Sequence, residues 1–255
     1  MALTLTPLQK IPLIKPGDPL GQILLTKLSE NHISLKNGDI LVVAQKIVSK
    51  CENRLVNLTT VRPGKRAINL AEASEKDPRF VELVLQESKR VMRKRPGTII
   101  VEHKLGFVCA NAGIDHSNVE GTWGNADDWV LLLPVDPDLS AEKLRDFFRK
   151  ATGLEIGILI IDSHGRAWRS GTIGTAIGMS GVPGLVDLRG KEDLFGFRLK
   201  ITQVGAADEL AAAASLVMGQ ASEGIPAVHV RGFPYPLRDS GISELIRPKD
   251  LDLFR

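Results

Sequence analysis

Two unbroken apolar runs constrain the fold of this chain most: Ile40-Leu41-Val42-Val43-Ala44, and Ile156 to Ile161 with one glycine inside it. A strand with one wet face alternates apolar and polar residues. A run without alternation predicts a strand covered on both faces, which in turn needs helices packed above and below a sheet. The rest of the chain supplies such helices. Asp18-Pro19 is a cap followed by a first-turn proline, and Leu20, Ile23, Leu24 and Leu28 then share a face. Asp77-Pro78 repeats that start and predicts a helix carrying Val81, Val84, Leu85, Ser88, Val91 and Met92 on one side. Ser140 opens another, with Leu144, Phe147, Phe148 and Ala151. The alanine-rich segment 206–219 is a helix by propensity.

Further strands are expected at 98–101, 129–133, 156–162, 199–204 and 227–230. Interleaved strands and helices give an α/β or α+β class, with a mixed sheet and packed helices. No linker-like segment divides the 255 residues, so residues 1–255 are expected to form one domain, built as two closely packed lobes. The segment from Gly165 to Gly190 is glycine-rich with few periodic apolar positions. It reads as loops that approach a ligand closely, or as a plain run of turns.

Several classes are excluded. At 43% hydrophobic and 25% charged residues the chain is neither disordered nor fibrous. No apolar run nears the roughly 18 residues of a membrane span. The first fifteen residues lack the apolar core of a secretory signal. Two cysteines, Cys51 and Cys109, make no disulfide framework, so a cytoplasmic location is expected. A net charge of +3 argues for neither a nucleic-acid nor a membrane partner. The basic run Lys89-Arg90-Val91-Met92-Arg93-Lys94-Arg95 reads better as a helix end, where cations complement the macrodipole, than as a phosphate patch. Walker-type GxxxxGK[ST], GxGxxG, HExxH and GxSxG motifs are all missing, so a nucleotide site would have to be built without a P-loop.

Two places put carboxylates beside apolar runs. Asp162 and Ser163 follow the second buried run, where open sheets hold ligands, and their hard oxygens suit Mg²⁺ or Mn²⁺. Asp162 equally fits an Asx turn capping the loop. In the other place, 106–118, small residues lead to Asp115 and Asn118, and Asp115 can share a cation with Asp162 or lie in a polar surface turn. Arg166 and Arg169, flanking Trp168, suit planar anions or simple pairing with Asp162. Gln45, Lys46, Ser49 and Lys50 follow the first buried run and are placed to meet phosphates or solvent.

Five blocks together resemble one family: 42–50, 106–118, 162–169, 207–220 and Val230-Arg231-Gly232. In this order they are similar to the signature blocks of the coenzyme F-420-0:L-glutamate ligases, the gamma-glutamyl ligases of a deazaflavin coenzyme. The resemblance implies that family's fold and a GTP-dependent ligase. It would join L-glutamate to the phospholactyl carboxylate of F-420-0 through an acyl phosphate, then add a second, γ-linked glutamate. It implies two divalent sites (Mg²⁺ or Mn²⁺), a monovalent K⁺ and a homodimer. Asp115 and Asp162 then look like ligands of one metal, and Ser163 and Gln220 like ligands of a second. Ile11, Pro12, Leu13, Ile14, Gln45, Lys46, Lys50 and Asn118 look like GTP contacts, as do Met218, Gly219, Gln220, Ala221, Ser222, Glu223, Gly224 and Ile225. Arg166 and Arg169 are expected to act in catalysis by orienting an anion. The fused flavin-binding nitroreductase domain of some relatives is not expected in a chain of this length.

Two departures stand out. Ser163-His164 replaces the family's usual threonine and aromatic residue, and Gly171-Thr172-Ile173-Gly174 lacks the usual acid. The same acids and arginines would also serve a metal-dependent phosphatase or nucleotide hydrolase, or an amide ligase with a different acceptor.

Overall fold

The computed structural model describes residues 2–253. In chain order its regular elements are β1 (Thr4–Pro7), α1 (Leu20–Glu30), β2 (Ile40–Ala44), α2 (Gln45–Cys51) and β3 (Leu55–Asn57). Next come α3 (Lys65–Ser74), α4 (Pro78–Gln86), β4 (Ser88–Arg95), β5 (Thr98–His103), β6 (Val108–Ala110) and β7 (Trp129–Leu131). The rest are α5 (Pro137–Thr152), β8 (Gly157–Arg166), β9 (Arg169–Ser180), β10 (Val186–Asp187), β11 (Gln203–Val204), α6 (Ala206–Met218) and β12 (Ala227–Arg231). No helix among the described residues is long and apolar enough to cross a membrane.

The main sheet has the order β1-β12-β2-β8-β9, with β2 and β8 parallel and the other neighbours antiparallel. This is the mixed α+β architecture expected. The two apolar runs are its central pair, and each splits its side chains between two cores. Leu41, Val43, Ile158 and Ile160 face the core under α1 and α5. Ile40, Val42, Leu159 and Ile161 face the core under α6. Burial on both sides is why neither run alternates. A third core lies under α3 and α4, against β5 and β7.

Three expectations fail locally. The helix from Pro78 stops at Gln86, and Ser88–Arg95 is a strand that pairs with Thr98–His103 around Pro96-Gly97. Its cations therefore cap no helix. They line the open edge of the three-stranded sheet β4-β5-β6, where charge discourages pairing with a second chain. The strand expected at 199–204 shrinks to Gln203–Val204.

The glycine-rich segment is, in its first half, the twelve-residue strand β9 rather than loops. Gly174 and Gly178 lie where a Cβ would overlap the backbone of Ala211 in α6 and Pro137 in α5. The glycines let two helices lie against the strand.

Candidate active site

β2 ends at Ala44, whose partner on β8 is Ile161, and the chain enters α2 at once. Gln45, Lys46 and Lys50 thus stand at the carboxyl end of β2, beside Asp162 and Ser163 on β8. α6 stops at Gly219, whose φ of 74° suits a residue without a side chain. The loop that follows returns over β2, with Ala44 N donating to Pro226 O at 2.8 Å. Between these pieces lies a cavity of about 400 Å³. Its wall includes Ile11 to Ile14, Gln45, Lys46, Lys50, Asn118, Asp162, Ser163 and Met218 to Ile225. Every residue expected to contact a nucleotide is in that wall. The volume falls within the range of small-molecule sites.

Asp115 stands just behind the wall. Its backbone is pinned by a bridge to Leu131, with Asp115 N donating at 2.9 Å and Leu131 N donating back at 2.8 Å. Its carboxylate accepts from Gln45 Nε2 at 2.6 Å and lies 3.5 Å from Lys46 Nζ. Ser49 Oγ donates to Gln45 Oε1 at 2.9 Å, which turns the amide so that its NH₂ faces Asp115. Burial, and then the charge of Asp162, push Asp115 up to about 6, against the pull of Lys46 and Gln45. The charge of Asp162 is therefore felt at Asp115, and Lys46 only partly offsets it.

Ser163 Oγ donates to Gln220 Oε1 at 2.8 Å, and Gln220 Nε2 donates to Ser215 Oγ at 2.8 Å. Once more a serine sets the orientation of an amide. Lys46 donates to Ser117 and Lys50 to Asn118 O at 2.8 Å, and Asn118 Nδ2 reaches Ala221 O at 3.1 Å across the mouth. Burial, with Lys46 nearby, lowers the Lys50 ammonium below its usual value. Behind Asp162, His164 Nε2 lies 3.0 Å from Oδ2, out of line for a hydrogen bond. Its ring packs on Phe107.

Burial pushes both thiols, Cys51 and Cys109, up to about 12, so each stays neutral.

Arg166 and Arg169 are not in the cavity wall. β8 and β9 run on past Ser163 as a two-stranded ribbon, and the arginines face each other in its last pair, at an exposed tip. A strand that continues four residues beyond Asp162 carries them outward, where a turn directly after Ser163 would have turned them in. Ser215 and Ile161, which also line the cavity, were not anticipated. Ser215 was legible only as a lone hydroxyl in an alanine-rich helix, five residues before Gln220.

The donors present fit a divalent cation. Among the described residues no three His, Cys, Asp or Glu side chains form a metal cluster. The donors are instead the carboxylates of Asp115 and Asp162 and, as a separate pair, the Ser163 hydroxyl and the Gln220 amide oxygen. Such a hard, sparse set suits Mg²⁺ or Mn²⁺, which commonly take one or two carboxylates and complete their shell with water and phosphate oxygens. The raised pKa of Asp115 is the cost that a shared cation would remove.

Known proteins are similar along the whole chain. The family model for F420-0:Gamma-glutamyl ligase matches residues 9–232. The coenzyme F420:L-glutamate ligase of Methanothermobacter thermautotrophicus is 44% identical over 257 residues, covering all of both chains. The ligase of the same name from Methanocaldococcus jannaschii is 43% identical, covering 96% of this chain and 94% of its own length. That from Archaeoglobus fulgidus is 40% identical, covering 100% and 97%. With more than half of its length matched by the model and full-length relatives above 30% identity, this chain belongs to the F420-0:gamma-glutamyl ligase family.

Proposed function

We propose that the cavity binds GTP and that the chain joins L-glutamate to coenzyme F-420-0, and then joins a second, γ-linked glutamate to the product. A carboxylate is a poor electrophile, so amide formation needs activation. The γ-phosphoryl of GTP passes to an oxygen of the acceptor carboxylate, giving an acyl phosphate and GDP. The glutamate amine then attacks the carbonyl carbon, the C–O bond to phosphate breaks, and the amine gives up its proton as phosphate leaves.

Lys46 and Lys50 are placed to meet the phosphates, exchanging their present bonds to Ser117 and Asn118 for phosphate oxygens. The walls at 11–14 and 218–225 hold the nucleoside. Asp115 and Asp162 would hold one divalent cation, and Ser163 and Gln220 a second, with K⁺ as a further monovalent ion. Such cations neutralise charge on transferring phosphoryl oxygens. One observation carries this reading: the cavity wall contains all of the expected nucleotide contacts, with the donor pair Ser163–Gln220 at 2.8 Å on its rim.

A homodimer belongs to the same proposal. Leu194, Phe195 and Ile201 are 97%, 95% and 87% exposed around the β10–β11 ribbon, and a second copy would cover them.

Mass spectrometry of F-420-0 incubated with the protein, GTP, Mn²⁺ and glutamate tests the reaction. The expected result is products heavier by one and by two glutamates, with one GDP formed per glutamate. GDP release that is independent of glutamate and leaves the acceptor mass unchanged would replace the ligase with a nucleotide hydrolase.

A further inference from the structure

We infer that the tip of the β8–β9 ribbon is the recognition element for the acceptor, with Trp168 as a stacking platform for a flat heteroaromatic ring. The inference rests on the proposed ligase reading and assigns its acceptor site.

Four observations meet there. Trp168 is 89% exposed at a backbone φ of 64°, in the two-residue turn between Arg166 and Arg169. Glycine or asparagine takes that left-handed conformation cheaply in a tight hairpin, and a bulky aromatic does not. Folding alone thus gives no reason for an indole here, and strained exposed residues cluster at functional positions. The flanking cations are free to meet the polar edge of such a ring. Among the described residues neither Arg166 nor Arg169 pairs with a carboxylate, and Arg166 Nη1 donates only to Gly171 O at 3.2 Å. The surface leading to the tip is bare: Gly165 and Gly171 are exposed, with open space where a side chain would stand. A ligand chain can lie close to that backbone.

Length supplies the fourth observation. Arg166 is four residues along the strand from Asp162, a run of about 13 Å at roughly 3.3 Å per residue. An acceptor that joins a flat ring through an extended chain to a phosphodiester and an adjoining carboxylate can span that run. Its ring would lie on Trp168 between the arginines, its chain along the bare surface at Gly165 and Gly171, and its phosphodiester and carboxylate together beside Asp162 and Ser163. The ribbon then measures the acceptor and delivers its reactive end to the cavity.

The test compares wild type with Trp168→Gly and Trp168→Phe. Glycine suits the left-handed backbone, so Trp168→Gly should keep or raise the thermal midpoint while raising the KM for F-420-0 about tenfold or more. The KM values for GTP and glutamate should not move, and Trp168→Phe should recover most of the loss. Wild-type indole fluorescence should be quenched by F-420-0 alone, and by much less in Trp168→Phe. An unchanged acceptor KM in Trp168→Gly overturns the assignment, as does a KM change that follows dissociation of the protein in sedimentation. If the wild type quenches with F-420-0 but makes no glutamate adduct, the ligase reading fails and the platform stands. If it makes the adduct with no loss in either variant, the platform alone fails.

Discussion

Ser163 Oγ and Gln220 Oε1 lie 2.8 Å apart, joining the central strand β8 to the loop after α6 across 57 residues of sequence. Ser215 holds the other end of the Gln220 amide, so the carbonyl oxygen is presented to Ser163 and not the NH₂. In the proposed second divalent site these two oxygens would be neighbouring ligands of a hard cation. Ser163→Ala and Gln220→Ala should each raise the Mn²⁺ concentration for half-maximal activity about tenfold. The double variant should cost much less than the product of the two effects, because both remove the same site. Strictly multiplicative losses would place the two side chains on separate tasks.

Asp162 carries a sharper expectation. It sits on the buried central strand, and its charge is felt by Asp115. Asp162→Asn keeps the shape and removes the charge. Turnover should fall by about a hundredfold or more, while the thermal midpoint without metal holds or rises because one of two repelling acids is gone. Wild-type rates in that variant with Mg²⁺ or Mn²⁺ present would remove Asp162 from the metal site.

The central pair of strands was legible because burial on two faces leaves an unmistakable residue pattern, and the cavity followed from what stands at the ends of those strands. The segment Gly165 to Gly190 was not legible, since a glycine spared for a helix looks in sequence like a glycine spared for a turn. The distinction lies in partners that are far away along the chain, Pro137 for Gly178 and Ala211 for Gly174. Gly178→Ala should accordingly lower stability by about 2 kcal/mol through overpacking against α5, as read by chemical denaturation. A neutral result would mean that α5 can shift outward at no cost. The basic run at 89–95 failed for a related reason. Val91 and Met92 continue a helical spacing from Val84, and only the pairing with Thr98–His103 reveals the strand.

Val230-Arg231-Gly232, one of the blocks that mark the family, proves to be structural in its arginine. Arg231 donates through Nε to Asp39 Oδ1 at 2.9 Å and through Nη2 to Oδ2 at 2.7 Å, at the end of β2 opposite the cavity. His229 Nε2 lies 2.9 Å from the same carboxylate, and Lys36 N donates to it. Burial raises the carboxyl pKa, but the bonds from Arg231, His229 and Lys36 outweigh it and hold Asp39 below the ordinary 3.8. A carboxylate lowered in the folded state contributes stability at pH values above its unfolded pKa. That contribution is lost as pH falls through 3.8 toward the lower folded value. Wild type should therefore show a steep loss of thermal midpoint below about pH 4. Asp39→Asn should lose about 3 kcal/mol near neutrality, since it leaves a guanidinium without its partner. Its midpoint should vary less with pH across the acid range. If both proteins lose stability in parallel as pH falls, the acid limb belongs to other carboxylates and the Asp39–Arg231 pair does not set it.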